Sequence, residues 1–130
     1  MKYIPLIGRI LFAAIFMMAG FEHIFSNAPL VAFAQQSGVP LASLAVPITG
    51  IMILLGSISI LLGYKVKFGA ALIFIFLIPT SFMMHNFWAM TDPMAKQINM
   101  LMFMKNMSIA GGALILFYFG SGPLSIDKSK

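Results

Sequence analysis

The sequence predicts an all-α protein, an integral membrane bundle of four transmembrane helices with a short interfacial helix in the first outer connection. Three observations carry that expectation. Hydrophobic residues make up 61% of the 130-residue chain and charged residues 8%, and the mean hydropathy is +1.01, far from the balance of a water-soluble domain. The apolar residues gather into four stretches, at about 4–25, 41–63, 66–87 and 98–119. Each is roughly 20 residues long, which at ~1.5 Å per residue crosses a hydrocarbon core of about 30 Å, and over such a length in lipid only a helix satisfies its own backbone hydrogen bonds. One four-helix domain then accounts for residues 1–130.

The first stretch runs from Ile4 to Phe25 and ends in Glu22-His23. It is longer than a signal-peptide core, and Ala32-Phe33-Ala34 lies well beyond it, so it reads as a retained span. From Ser26 to Pro40 the outer connection contains Asn27 as a helix cap, Pro29 in a first turn and Gly38 as a stop. This short helix would lay Leu30, Val31 and Phe33 in the interface as a lid. The second and third spans, Leu41 to Gly63 and Val66 to Phe87, are joined so tightly at Tyr64–Lys67 that they are antiparallel neighbours. Pro79 removes the partner of the Ile75 carbonyl and predicts a kink about two turns below His85. The fourth span runs from Ile98 to Phe119.

Small residues are expected where helices approach closely. Candidates are Gly8, Ala19 and Gly20, then Gly50, Gly56 and Ser59-x-x-x-Gly63, and finally Ser108-x-x-x-Gly112 with Gly111.

Orientation follows from the basic residues. Lys2, Lys65, Lys67, Lys128 and Lys130 share the side of the termini, whereas Lys96 stands alone opposite, which places both termini in the cytoplasm. This asymmetry accounts for the net charge of +5 without invoking nucleic acid, for which no basic soluble face exists. Arg9, near the inner surface, is expected to snorkel to lipid phosphate.

The candidate site is a set of polar groups that the topology brings to the outer end: Glu22, His23, His85, Asn86, Trp88, Lys105 and Asn106. Ionisable groups within spans are costly and point to function by default. Lys105 sits about seven residues inside its span, ~10 Å below the outer end. Glu22 is the available counter-charge if the first and fourth helices are neighbours, as in a simple up-and-down bundle. That pair serves a binding site or only fixes helix register.

Several chemistries are disfavoured. No cysteine is present, which excludes thiol-disulfide exchange by this chain alone. Paired His23 and His85 could hold a haem, but both lie near span ends and nothing else resembles a haem pocket. Adjacent Glu22 and His23 diverge by about 100° on a helix and do not easily share one ion with His85, so no metal is assigned. The 12 methionines include Met83-Met84 and Met100, Met104 and Met107, a pattern compatible with copper(I), but their scatter over every span fits a flexible core better. Four helices without a repeat offer little support for a transporter.

Gly8-Arg9, Ala19-Gly20-Phe21-Glu22-His23, Gly38-Val39-Pro40, His85-Asn86-Phe87-Trp88 and Met104-Lys105-Asn106 followed by Gly111-Gly112 together resemble the DoxX family of small bacterial membrane proteins. The resemblance runs over nearly the whole chain. It implies four helices, an inner-membrane location and a link to oxidoreductases, since the family's name comes from a small subunit associated with a thiosulfate:quinone oxidoreductase. Many relatives carry a Glu just before Gly-Gly in the second span. Here the matching positions read Ile53-Leu54-Leu55-Gly56-Ser57.

The leading expectation is a redox-linked inner-membrane protein, a subunit rather than a complete enzyme, whose outward polar pocket holds a quinone or a similar small apolar molecule. His85, Asn86, Lys105 and Asn106 would supply hydrogen bonds, and Phe87 and Trp88 a ring surface. His85 and Trp88 serve equally well as interface anchors. The alternative is a non-enzymatic scaffold or stress-adaptation component. The partners expected are the lipid bilayer, a soluble or membrane oxidoreductase, and further copies of the chain.

Overall fold

The computed structural model of the protein describes residues 1–127; Lys128 and Lys130 lie outside them. Helix α1 spans Tyr3–Phe25, α2 Ala28–Gln36, α3 Ala42–Leu62, α4 Val66–Met84 and α5 Pro93–Phe119, with a single 3-10 turn at Phe87–Ala89. Four of these are long and apolar enough to cross a membrane, and α2 is the short helix between the first two. The protein is therefore an all-α bundle of four membrane-spanning helices.

Packing follows the order α1 on α3, α3 on α4 and α4 on α5, with α2 lying on α3. Buried Ala13, Phe16, Ile53, Ile73, Leu77 and Ala110 form the main core, and a smaller cluster of Ala34, Ala42 and Val46 sits beneath α2. In contrast to the expectation for a simple up-and-down bundle, α1 and α5 approach each other much less closely than the other neighbours do. They meet at Phe12, whose ring would lie 3.3 Å from a Cβ on Gly112.

Glycine sets two of these approaches. A Cβ on Gly50 would lie 2.5 Å from Cβ of His23, and one on Gly69 would lie 2.8 Å from the carbonyl oxygen of Gly56. The α1–α3 and α3–α4 contacts are thus near backbone-to-backbone. Gly8 and Gly111, expected to act likewise, do not: nothing lies within 4 Å of where either Cβ would be.

The element ends differ from expectation for identifiable reasons. Helix α2 stops before Gly38, which has φ +83°, but Asn27 does not cap it; its amide instead donates to the His23 carbonyl at 3.1 Å. Helix α4 runs unbroken through Pro79 and ends at Met84, so His85 leaves the helix at φ −123°. Helix α5 starts at Pro93, five residues before the apolar stretch begins. The Asp92 carboxylate accepts from the Ala95 N–H at 2.9 Å, and a proline at the first position needs no donor.

The largest departure lies at the end of the bundle that carries both termini. Arg9 does not snorkel: it is 1% exposed. Its Nη1 donates to the carbonyls of Ile60 and Leu61 at 3.5 and 3.4 Å, and its Nη2 to those of Pro123 and Leu124 at 3.3 and 2.6 Å. The reason is that residues 120–127 fold back under the bundle. Gly120 and Gly122 turn the chain at positive φ, and the Ile126 and Asp127 N–H groups donate to the carbonyls of Leu62 and Gly63 at 3.1 and 2.9 Å. The returning segment supplies the acceptors that water or lipid phosphate would otherwise provide.

Candidate functional site

At the opposite end, α2 roofs a cavity of about 160 Å³ between α1, α3 and α4. Its walls are mainly apolar: Leu30 and Ala34 from α2, Val46 from α3, and Phe76, Met83 and Met84 from α4. Three polar side chains, His23, Thr49 and Thr80, also line it. The short α2 is held over the opening because its buried Ala34 packs with Ala42 and Val46.

The hydrogen bonds of these side chains define what the cavity offers. His23 Nδ1 is 2.6 Å from the Ala19 carbonyl, which can only accept, so Nδ1 carries the proton. In the neutral ring Nε2 is then the bare nitrogen. Its ring stands edge-on to Phe76 with centroids 5.9 Å apart. The Thr49 hydroxyl donates to the carbonyls of Ala45 and Val46 at 2.7 and 2.9 Å. What remains toward a ligand is its oxygen lone pairs. His23 and Thr49 are therefore both acceptors, and only the Thr80 hydroxyl is free to rotate and serve either role.

The remaining candidate residues form no single constellation with His23. His85 Nδ1 donates to Asn99 Oδ1 at 2.9 Å, and Asn99 Nδ2 in turn donates to the Ala95 carbonyl at 2.9 Å. The His85 ring also lies 6.4 Å from that of Phe33 on α2. Asn86 is half-buried, and its carbonyl accepts from the Ala89 N–H at 3.0 Å. Trp88, half exposed, belongs to an aromatic cluster with Phe82, Phe87 and Phe103, with centroids 5.2–5.8 Å apart. Asn106 is buried among Ala110 and Ala113 on the inward face of α5.

Glu22 and Lys105 are both exposed. The expected ion pair is not formed: among the described residues no Lys or Arg side-chain nitrogen is within 4.0 Å of an Asp or Glu oxygen. Glu22 lies about 200° around the helix from buried Gly20, on the side of α1 away from the core. Lys105 Nζ has the Met102 sulfur at 3.6 Å.

Sequence reasoning missed Thr49, Thr80, Phe76 and Asn99. For Asn99 a signal exists. Ala95, Asn99, Asn106, Ala110 and Ala113 recur at three-, four- and seven-residue intervals, one inward stripe of a helix. The two threonines carry no such signal, since their place on a cavity depends on where α2 lands.

Comparison with known proteins gives a consistent picture. The family described as DoxX matches residues 4–86. The chain is 34% identical over 123 residues to the "Inner membrane protein YphA" of Escherichia coli strain K12, covering 95% of this chain and 87% of that protein. It is 32% identical over 123 residues to the "Inner membrane protein YqjF" of the same organism, with 95% and 88% covered. A more distant likeness, 29% over 82 residues, links 63% of this chain to 26% of the "ER-derived vesicles protein ERV29" of Saccharomyces cerevisiae. No solved structure matches the chain.

Proposed function

Because this chain belongs to the DoxX family of small bacterial integral membrane proteins, we propose that it is a redox-linked inner-membrane subunit that holds the ring of a quinol-like molecule beneath α2. The observation that carries this reading is the acceptor pair of His23 and Thr49 on an apolar cavity. Its volume suits one ring, since an apolar cavity of about 150 Å³ takes up benzene. Two acceptors favour a ligand that brings hydroxyl donors. That is the reduced, hydroquinone form; a quinone presents only carbonyl oxygens, which a bare Nε2 cannot serve. The chain supplies no electron acceptor of its own among its side chains, so the electrons of a bound quinol would pass to a partner oxidoreductase.

This proposal centres the site on His23 and moves it away from Trp88 and Lys105. His85 and Asn99 stand close to α2 through Phe33 and position the lid. Binding of a short-tailed benzoquinol to the detergent-purified protein tests the reading. His23→Phe keeps the ring but removes the acceptor, and should weaken binding several-fold, the worth of one hydrogen bond of about 0.5–1.5 kcal/mol. Ala45→Phe should abolish binding by filling the cavity. If both variants bind as the wild type does, the ligand is elsewhere.

Orientation belongs to the same proposal, because it decides which face the lid opens to. With Lys2, Lys65 and Lys67 at the termini end and Lys96 opposite, we place the termini in the cytoplasm. The chain has no cysteine, so a single Cys at Thr91 should react with an impermeant thiol reagent added to spheroplasts, and one at Lys65 should not. The reverse pattern would turn the cavity toward the cytoplasm.

A scaffolding role rests on a different observation. Lys105 is exposed within a membrane span, and Gly111, on the same helix, has open space beside it. A lipid-facing cation suits docking of another helix that carries an acid, and the open Gly111, about 120° further round α5, leaves a second small-residue face for a close helix approach. Co-purification separates the readings: a partner lost on Lys105→Met favours the scaffold, and quinol binding that survives that change favours the cavity.

A further inference from the structure

The end of the bundle with both termini has a second opening, distinct from the lid cavity. Where α1 and α5 diverge runs a cleft of about 430 Å³, walled by Ile4, Gly8 and Phe12 on one side and by Gly112, Leu116 and Phe119 on the other. These are surfaces for a hydrocarbon chain. Gly8 contributes width, because nothing lies within 4 Å of the place its Cβ would take.

One end of the cleft is positively charged. Arg9 and the turn at Gly120–Gly122 line it, and the Lys67 side chain reaches that turn, its Cε 3.8 Å from where a Cβ on Gly120 would be. The Arg9 guanidinium meets four carbonyl oxygens, while its Nε–H has no partner. Carbonyl dipoles solvate the charge without cancelling it. No carboxylate oxygen lies within 4.0 Å of it among the described residues; Asp127, at the same end, has its carboxylate on the Lys65 backbone N–H, leaving Arg9 and Lys67 in excess over it. In a low-dielectric surround a charge acts over several ångströms, whereas in water it is screened.

From this arrangement we propose that the α1–α5 cleft seats an anionic phospholipid of the leaflet facing the termini. One acyl chain lies between Gly8 and Leu116. The phosphate sits at the mouth, where the exposed Lys67 ammonium contacts it directly and the buried Arg9 acts on it through its field. A zwitterionic lipid has the same chain but gains nothing net from the two cations. Free phosphate has the charge but nothing to fill the cleft. The selectivity therefore comes from chain and charge together.

Native mass spectrometry of the detergent-purified protein, equilibrated with equal amounts of phosphatidylglycerol and phosphatidylcholine of identical chains, tests this. Phosphatidylglycerol should be retained several-fold over phosphatidylcholine, and added inorganic phosphate should not displace it. Gly8→Leu fills the cleft without touching the Arg9 contacts and should remove the retention of both lipids without lowering the melting temperature. Lys67→Gln, on an exposed side chain, should bring the two lipids toward parity. Equal retention by the wild type, an unchanged preference in both variants, or displacement by phosphate alone would each overturn the proposal.

Discussion

Arg9→Met should lower the stability of the detergent-solubilised protein by roughly 2–4 kcal/mol, because it leaves partly buried carbonyls without their donor. Four carbonyls lose a donor at once, those of Ile60, Leu61, Pro123 and Leu124; Ile60 keeps the Gly63 N–H at 3.2 Å, and each buried acceptor left unmade costs ~1–3 kcal/mol, less where water reaches it. Arg9→Lys should fall between the two. An ammonium has three donors on a point and cannot serve α3 and the returning segment together as the planar fork does. The informative experiment combines the substitution with deletion of residues 121–130. In the shortened chain Arg9 is a buried cation stripped of two acceptors, so Arg9→Met should there be neutral or stabilising, the reverse of its effect in the full chain. Thermal melts of the four proteins decide it. Equal losses in both backgrounds would show that Arg9 acts independently of the C-terminal segment.

Two glycine-to-alanine changes should move stability in opposite directions. At Gly69 the new methyl would lie 2.7 Å from Ser59 Oγ and 2.8 Å from the Gly56 carbonyl oxygen. The hydroxyl can rotate, but the carbonyl belongs to a helix tied to α4 by a very short hairpin. Overpacking of this kind costs ~1–3 kcal/mol, more than the ~0.5–1 kcal/mol that alanine gains over glycine in a helix. At Gly111 nothing stands within 4 Å, so only the gain remains. Unfolding midpoints should therefore fall for Gly69→Ala and rise slightly for Gly111→Ala. Shifts of the same sign would mean that the α3–α4 contact is looser than described, or that Gly111 is covered by a partner.

The helices were legible in the sequence because composition and span length depend on nothing beyond the local segment. Element ends were less so. The Asp92-Pro93 start of α5 is readable from residue type, but the apolar stretch begins only at Ile98, because Lys96 and Gln97 stand in the opening turns of the helix. Arg9 differs for a deeper reason: whether an arginine near a membrane surface snorkels or is buried depends here on acceptors 51 to 115 residues away. The small residues divide in the same manner. Gly50 and Gly69 have a helix against them and Gly8 and Gly111 do not, a distinction made by which helices touch. Of the seven candidate site residues, His23 lines the lid cavity. Grouping polar residues by depth is legible in a sequence, but their rotation about each helix axis separated Glu22 and Lys105 from the interior.

The tie between Arg9 and residues 123–124 also has a place in time. Leu124 follows Arg9 by 115 residues, and at synthesis rates of ~5–20 residues per second the two are made on the order of ten seconds apart. For that whole interval two of the carbonyls that will surround the Arg9 guanidinium do not yet exist. The nascent chain has to keep Arg9 hydrated at the surface until residues 123–124 have left the ribosome, so closure of this end of the bundle is a step that follows synthesis of every span.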